Sequence, residues 1–218
     1  FATTFILVPL IGVDIILYSI SVILITSAIV GLSKQTKLVA VILICISLYS
    51  AVFVQAPLAG VVFEKETQYH RLLVHDDSVT NIRTLILDNN FHSAMDLENR
   101  DRIVYEYTKY FHLGMLFTND VQNVLFIGGG GFSAPKKFFV DYPDIKIDVV
   151  EIDKEVVSAG KEFFFVPEDE RLDITTDDGR IFLRKTDKKY DIIVLDAYDK
   201  TYVPFHLMTK EFHELVSN

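Results

Sequence analysis

The sequence predicts an α/β protein: a parallel sheet flanked by helices, preceded by a small antiparallel β unit and by two apolar spans. Three observations carry this. From residue 123 onward, apolar runs alternate with stretches of helical periodicity. Before them, residues 64–97 alternate apolar and polar positions, broken by Asp and Asn turn signals. At the front, residues 1–62 hold only Asp14, Lys34 and Lys37 as formal charges. The expected division is 1–62, 64–98 and 99–218.

The front contains two apolar runs, Thr4–Leu32 and Leu38–Phe63. Each exceeds the roughly 20 residues needed to span a bilayer, and each is too long for the apolar core of a signal peptide. Neither shows a polar face, which argues against a pair of buried core helices. Asp14 lies mid-span, where a carboxylate is costly and faces protein or a cavity, as in a larger bundle. Lys34 and Lys37 before the second run balance Lys65 and Arg71 after it, so loop charges leave the orientation open. The chain starts at Phe1 inside an apolar run and stops after the fourth strand of its series. A longer parent protein is therefore expected.

The chain has 21 basic and 30 acidic residues. Removing the three charges of the front leaves 21 − 2 = 19 basic and 30 − 1 = 29 acidic residues, a net charge of −10. That makes a poor nucleic-acid binder, whose phosphate contacts need Lys and Arg, and suits a cationic substrate. Cys45 is the single cysteine, so no disulfide forms within the chain. The six histidines (70, 75, 92, 112, 206 and 213) are scattered, with no metal-ligand spacing.

Asp76-Asp77 and Asp88-Asn89-Asn90 separate the short strands of the antiparallel unit. Residues 101–117 carry apolar side chains at helical spacing and predict a helix. Then come four strand–helix pairs: VQNVLFIG with FSAPKKFFVDY, IKIDVVEID with KEVVSAGKEFF, RLDITTDD with GRIFLRKT, and YDIIVLDAYD with MTKEFHELVSN. Such a series makes a parallel sheet covered on both faces.

Ligands of open parallel sheets sit beyond the carboxyl ends of the strands, and four strand ends here carry a consistent set. Gly128-Gly129-Gly130 lets backbone approach a nucleotide-like ligand; a tight strand-to-helix turn is the alternative. The spacing does not complete GxGxxG, because Ser133 holds the last position, which disfavours a dinucleotide. Glu151, about 20 residues on, closes its strand where an acidic residue bonds ribose hydroxyls. Asp153 caps the next helix. Asp178, before Gly179, either accepts from an exocyclic amino group such as that of adenine or caps a helix. Asp196 and Asp199 share the fourth strand tip. Two carboxylates there bind an ammonium and take its proton, or form a solvated acidic turn.

VLFIGGG, VVEID, DDGR and YDIIVLDAYD, in that order, resemble the spermidine synthase (polyamine aminopropyltransferase) family. TQYHRLLV, LILDNNFHSAMDL and DRIVYEYT are similar to its N-terminal β-domain and gate region, and the apolar front resembles its membrane-embedded branch. The likeness covers residues 64–218. It implies a Rossmann-like, methyltransferase-type fold. The implied activity is a membrane-anchored transferase moving an aminopropyl group from decarboxylated S-adenosylmethionine to a polyamine such as putrescine, without a metal.

By the resemblance, Gly128, Gly129, Gly130, Glu151, Asp178 and Gly179 would hold the donor. Asp196 would deprotonate the attacking amine and Asp199 would bind the polyamine. His70, Tyr105, Glu106 and Tyr198 would line the amine site. A homodimer and a multi-pass membrane protein with a cytoplasmic catalytic part are implied as well.

Two departures stand out. The family's GGGDGG reads Gly128-Gly129-Gly130-Gly131-Phe132-Ser133, without the Asp that helps bind the aminopropyl ammonium. Its Tyr-(His/Gln)-Glu reads Tyr105-Glu106-Tyr107. Two other readings stay open: a methyl- or aminocarboxypropyltransferase using intact S-adenosylmethionine, and a non-catalytic ligand-sensing domain of a membrane protein.

Overall fold

The computed structural model describes residues 8–31, 39, 41–46, 59–198 and 204–217. The chain divides into two compact units, Phe1–Val61 with Lys65–His70, and Val62–Glu64 with Arg71–Asn218.

The first unit contains helix α1, Val8–Gly31. Its apolar side chains are exposed, Leu10, Leu17, Ile23 and Leu24 each by more than half. The Ser19, Ser21 and Ser27 hydroxyls donate to carbonyls one turn back at 2.7–2.8 Å. The helix thus satisfies these polar groups internally. Among the described residues, α1 is the one helix long and apolar enough to cross a membrane, with a mean hydropathy of 2.1 over Leu10–Ser27. It is kinked at Gly12, whose φ of 76° is readily reached only by glycine. The second expected span, Leu38–Phe63, lies largely outside the described residues. His70 follows in the connection between β1 (Val61–Glu66) and β2 (Arg71–Asp77); its N–H donates to Thr67 Oγ1 at 2.9 Å.

In the second unit, β2, β3 (Ile82–Leu87) and β4 (Asn90–Asp96) continue an antiparallel sheet of order β1-β2-β3-β4. Asp88 and Asn89, both at positive φ, make the tight β3–β4 turn that the sequence marked. One face of the sheet buries Leu72, Val74, Leu85 and Met95 against Val156, Ala159 and Phe164. Arg83 secures this packing: it forms two 2.7 Å bonds to Asp76 and donates to Phe163 O at 2.9 Å.

The helix expected over 101–117 is corrected. Ile103 makes a bridge to Met95, which holds the first residues out of any helix. Glu106–Leu116 then forms a 3₁₀ segment. Tertiary pairing wins here over local apolar spacing.

The parallel sheet follows the expected series: β5 (Asn123–Ile127), α2 (Ser133–Asp141), β6 (Lys146–Glu151), α3 (Lys154–Phe163), β7 (Leu172–Thr176), α4 (Gly179–Lys185), β8 (Ile192–Leu195) and α5 (Lys210–Val216). A 3₁₀ turn, Phe205–Leu207, precedes α5. Successive residues of β5 face opposite ways. Val124 and Phe126 pack with Phe132, Phe138 and Val149; Leu125 and Ile127 pack with Val150, Leu207 and Phe212. The spatial order is β7-β6-β5-β8. The chain steps outward from β5 to β7, then returns to the other side of β5. That reversal opens a crevice at the carboxyl ends of β5 and β8, where ligands of such sheets bind.

Candidate active site

The tips of β5, β6 and β8 are sewn together by backbone. Gly128 N–H donates to Val150 O at 2.9 Å, and Asp196 N–H to Ile127 O at 2.8 Å. Gly128 has a φ of +97°, and a Cβ there would lie 2.4 Å from Asp196 O. Glycine is needed because the exit of β8 presses on the loop.

The other glycines divide by what surrounds them. A Cβ on Gly129 would meet the Phe132 ring at 2.8 Å, and one on Gly131 would meet Ser93 Cβ and Oγ at 2.8 Å. At Gly130 the nearest atom would be Ser93 Cβ at 3.9 Å. Protein fills the place of a side chain at Gly128, Gly129 and Gly131, and leaves it open at Gly130.

Phe132 and Ser133, the residues after the glycines, explain this packing. Phe132 is fully buried at a φ of 59°, a strained conformation for an aromatic residue, with its ring wedged between Gly129 and Gly160. Ser133 Oγ donates to Ala94 O at 3.0 Å and shares a 2.6 Å bond with Ser93 Oγ. Gly131-Phe132-Ser133 is thus a lock between the glycine loop, α2 and β4.

Glu151 ends β6 with 8 % exposure. Its Oε2 accepts from Gly129 N–H at 2.9 Å and Gly130 N–H at 3.2 Å, and its Oε1 from Asp153 N–H at 3.1 Å. Burial pushes its carboxyl above the usual range, against the pull of these three donors. Asp153 caps α3 as expected, accepting from Glu155 N–H at 2.9 Å. Its Oδ2 is buried with no partner among the described residues.

Asp178 caps α4, its Oδ1 accepting from Ile181 N–H at 3.0 Å, while Oδ2 lies 3.0 Å from His206 Nε2. Both readings made from sequence, cap and acceptor, remain compatible with this geometry. Gly179 fits close packing: a Cβ would sit 2.4 Å from Ile127 Cγ2.

Asp196, just past β8, has less protein support than Glu151 or Asp178. Its side chain receives one bond, from the Tyr107 hydroxyl at 3.3 Å. Burial raises its pKa to about 6, and the tyrosine bond opposes that rise. Burial, with the Asp196 charge beside it, pushes the Tyr107 hydroxyl well up. Tyr105 stacks on Tyr107 at 6.5 Å, and Phe111 meets Tyr107 edge-on at 5.7 Å. Glu106 instead points to solvent and pairs with Lys109 at 2.8 Å. Tyr198 is 40 % exposed, and Asp199 lies outside the described residues. His70 falls in the first unit.

Two residues join these tips that the sequence did not single out for a role. Tyr107 sat in the noted Tyr105-Glu106-Tyr107 departure, which was a usable signal. His206 carried no signal at all.

The chemistry available is that of a crevice with one open glycine, an orphaned buried acceptor on Asp153, and a carboxylate poised to take a proton. A family model for the spermine/spermidine synthase domain matches residues 105–218, which is 114 of 218 residues. The polyamine aminopropyltransferase of Vibrio vulnificus is 35 % identical over 114 residues, 51 % of this chain and 38 % of that protein. The chain thus spans well under half the length of this curated relative. A probable spermidine synthase from Corynebacterium glutamicum superposes with a TM-score of 0.63 at 24 % identity, covering 73 % of this chain and 59 % of that one. A spermidine synthase in complex with the transition-state analogue AdoDATO gives a TM-score of 0.61 at 21 % identity, covering 72 % and 53 %. These two likenesses show the Rossmann-like fold.

Proposed function

The chain belongs to the spermine/spermidine synthase family, and from that premise we propose that it carries the donor site and catalytic base of an aminopropyltransferase. The donor is decarboxylated S-adenosylmethionine and the acceptor a polyamine such as putrescine. Asp196 takes a proton from the acceptor ammonium. The freed nitrogen then attacks the carbon beside the sulfonium, the C–S bond breaks, and its electron pair stays on sulfur in neutral methylthioadenosine. A neutral leaving group needs little help, so positioning and deprotonation set the rate.

The observation that carries this reading is Asp196. A carboxylate with a pKa of about 6 at the β5/β8 switch point is ionised at neutral pH, yet basic enough to accept a proton. Tyr107 and Tyr105 supply an aromatic wall beside it. Asp199 and Tyr198 extend the amine site. Gly130, Glu151 and Asp178 hold the donor, with Gly128, Gly129 and Gly179 shaping the loops around it. Helix α1 anchors the protein in a membrane, and the protein acts as a homodimer.

One observation favours a second reading, a donor that keeps its carboxylate. Gly131 is packed against Ser93 and Phe164, so no acidic side chain stands there to repel such a donor. Calorimetric titration with both sulfonium forms separates the two. Tighter binding of the decarboxylated form, with amine-dependent release of methylthioadenosine, is expected. Preference for the intact form would replace the first reading by the second.

A further inference from the structure

His206 is held in place from two sides. Its Nε2 lies 3.0 Å from Asp178 Oδ2, and its carbonyl accepts from Arg180 Nη1 at 2.9 Å. Arg180 also donates to Thr209 Oγ1 at 3.2 Å, fixing the start of α5. Next to it, Leu207 is anchored in the core with Leu125, Ile127 and Val150. Such a mount gives the ring one orientation, while its side chain keeps 33 % exposure.

The tautomer follows from chemistry. An ionised carboxylate only accepts, so Nε2 carries the hydrogen shared with Asp178. In the neutral ring Nδ1 is then an acceptor, and it has no protein partner among the described residues. Asp178 Oδ1 is already used by the α4 cap. The acceptor left to an incoming amino group at this strand tip is therefore shared between Asp178 Oδ2 and the imidazole it orients.

We propose that His206 recognises the nucleobase of the donor, its Nδ1 accepting from the exocyclic amino group of adenine while Asp178 fixes the ring. This rests on the donor reading above and adds a residue to it. The mount makes His206 a selectivity element: an amino group is accepted, whereas a 6-oxo group would set acceptor against acceptor and leave the site unpaired.

The test is calorimetry of the intact chain with 5′-methylthioadenosine and with its 6-oxo counterpart, 5′-methylthioinosine. Wild type, His206→Leu and His206→Gln are compared, with thermal melting checking that each variant folds. Glutamine keeps one donor for Asp178 and one acceptor. The wild type is expected to bind the adenine compound at least about tenfold more tightly than the oxo compound, the worth of one hydrogen bond. His206→Leu should lose most of that preference through weaker adenine binding, and His206→Gln should retain it. A folded His206→Leu variant that keeps both affinities, or binds the adenine compound more tightly, overturns the proposal and leaves the donor reading intact. If the wild type binds neither nucleoside, the donor reading falls and takes this proposal with it.

Discussion

The tips of β6 and β8 each end in a buried or half-buried acid whose pKa burial raises, yet the protein treats them oppositely. At β6, Glu151 receives three backbone N–H groups and ties down the glycine loop. At β8, Asp196 receives one long tyrosine bond and is otherwise unsupported. The first carboxylate organises the loop around it. The second is kept costly, which is what a general base requires. Residue type and strand position alone do not separate them; the count of donors does.

The closed region can be broken most severely at Gly131. Gly131→Asp would drive a side chain into Ser93 and Phe164 and bury a carboxylate in a packed site. We expect a loss of about 3 kcal/mol or more, read by chemical denaturation. Glu151→Ala is next, because two glycine-loop N–H groups and that of Asp153 lose their acceptor. A loss of about 2–4 kcal/mol is expected; a neutral result would show that Glu151 does not organise the loop.

The open region should respond with the opposite sign. The folded pKa of Asp196 is raised from 3.8 to about 6, so its burial costs nothing below the unfolded value and destabilises as pH rises through about 6. Asp196→Asn removes that cost. It should stabilise the protein by about 1–2 kcal/mol at pH 8 and by about nothing at pH 4. Thermal melts at both pH values check this, and equal shifts at both would refute it. The smallest effect is expected from Tyr107→Phe. Losing a bond that lowers the Asp196 pKa should move the acid limb of the pH–rate profile up by less than about one pH unit. A downward shift would mean that the hydroxyl does not favour the charged form.

Much of this was legible in the sequence. The strand series, the Asp153 cap and the acidic strand tips follow from local pattern, because strands and caps are written in neighbouring residues. The helix over 101–117 was misread because Ile103 pairs with Met95 in β4, a contact the local period cannot carry. Gly131 illustrates the same limit. From sequence it stands as a missing acid; in the fold its place is taken by Ser93, almost 40 residues earlier, and by Phe164. Tyr107 reaches Asp196 across 89 residues and His206 reaches Asp178 across 28, so neither pairing has a spacing to recognise.

The contrast between the two acids is tested most directly by the pH dependence of methylthioadenosine release from decarboxylated S-adenosylmethionine and an amine. The wild-type rate should rise through about pH 6, the Asp196 pKa, and level off above it. Asp196→Asn should lower it by about 10²–10⁴-fold at pH 7.5 while donor affinity is kept. An Asp196→Asn protein that turns over at the wild-type rate, or a wild-type profile without that inflection, would contradict the assignment of Asp196 as the base.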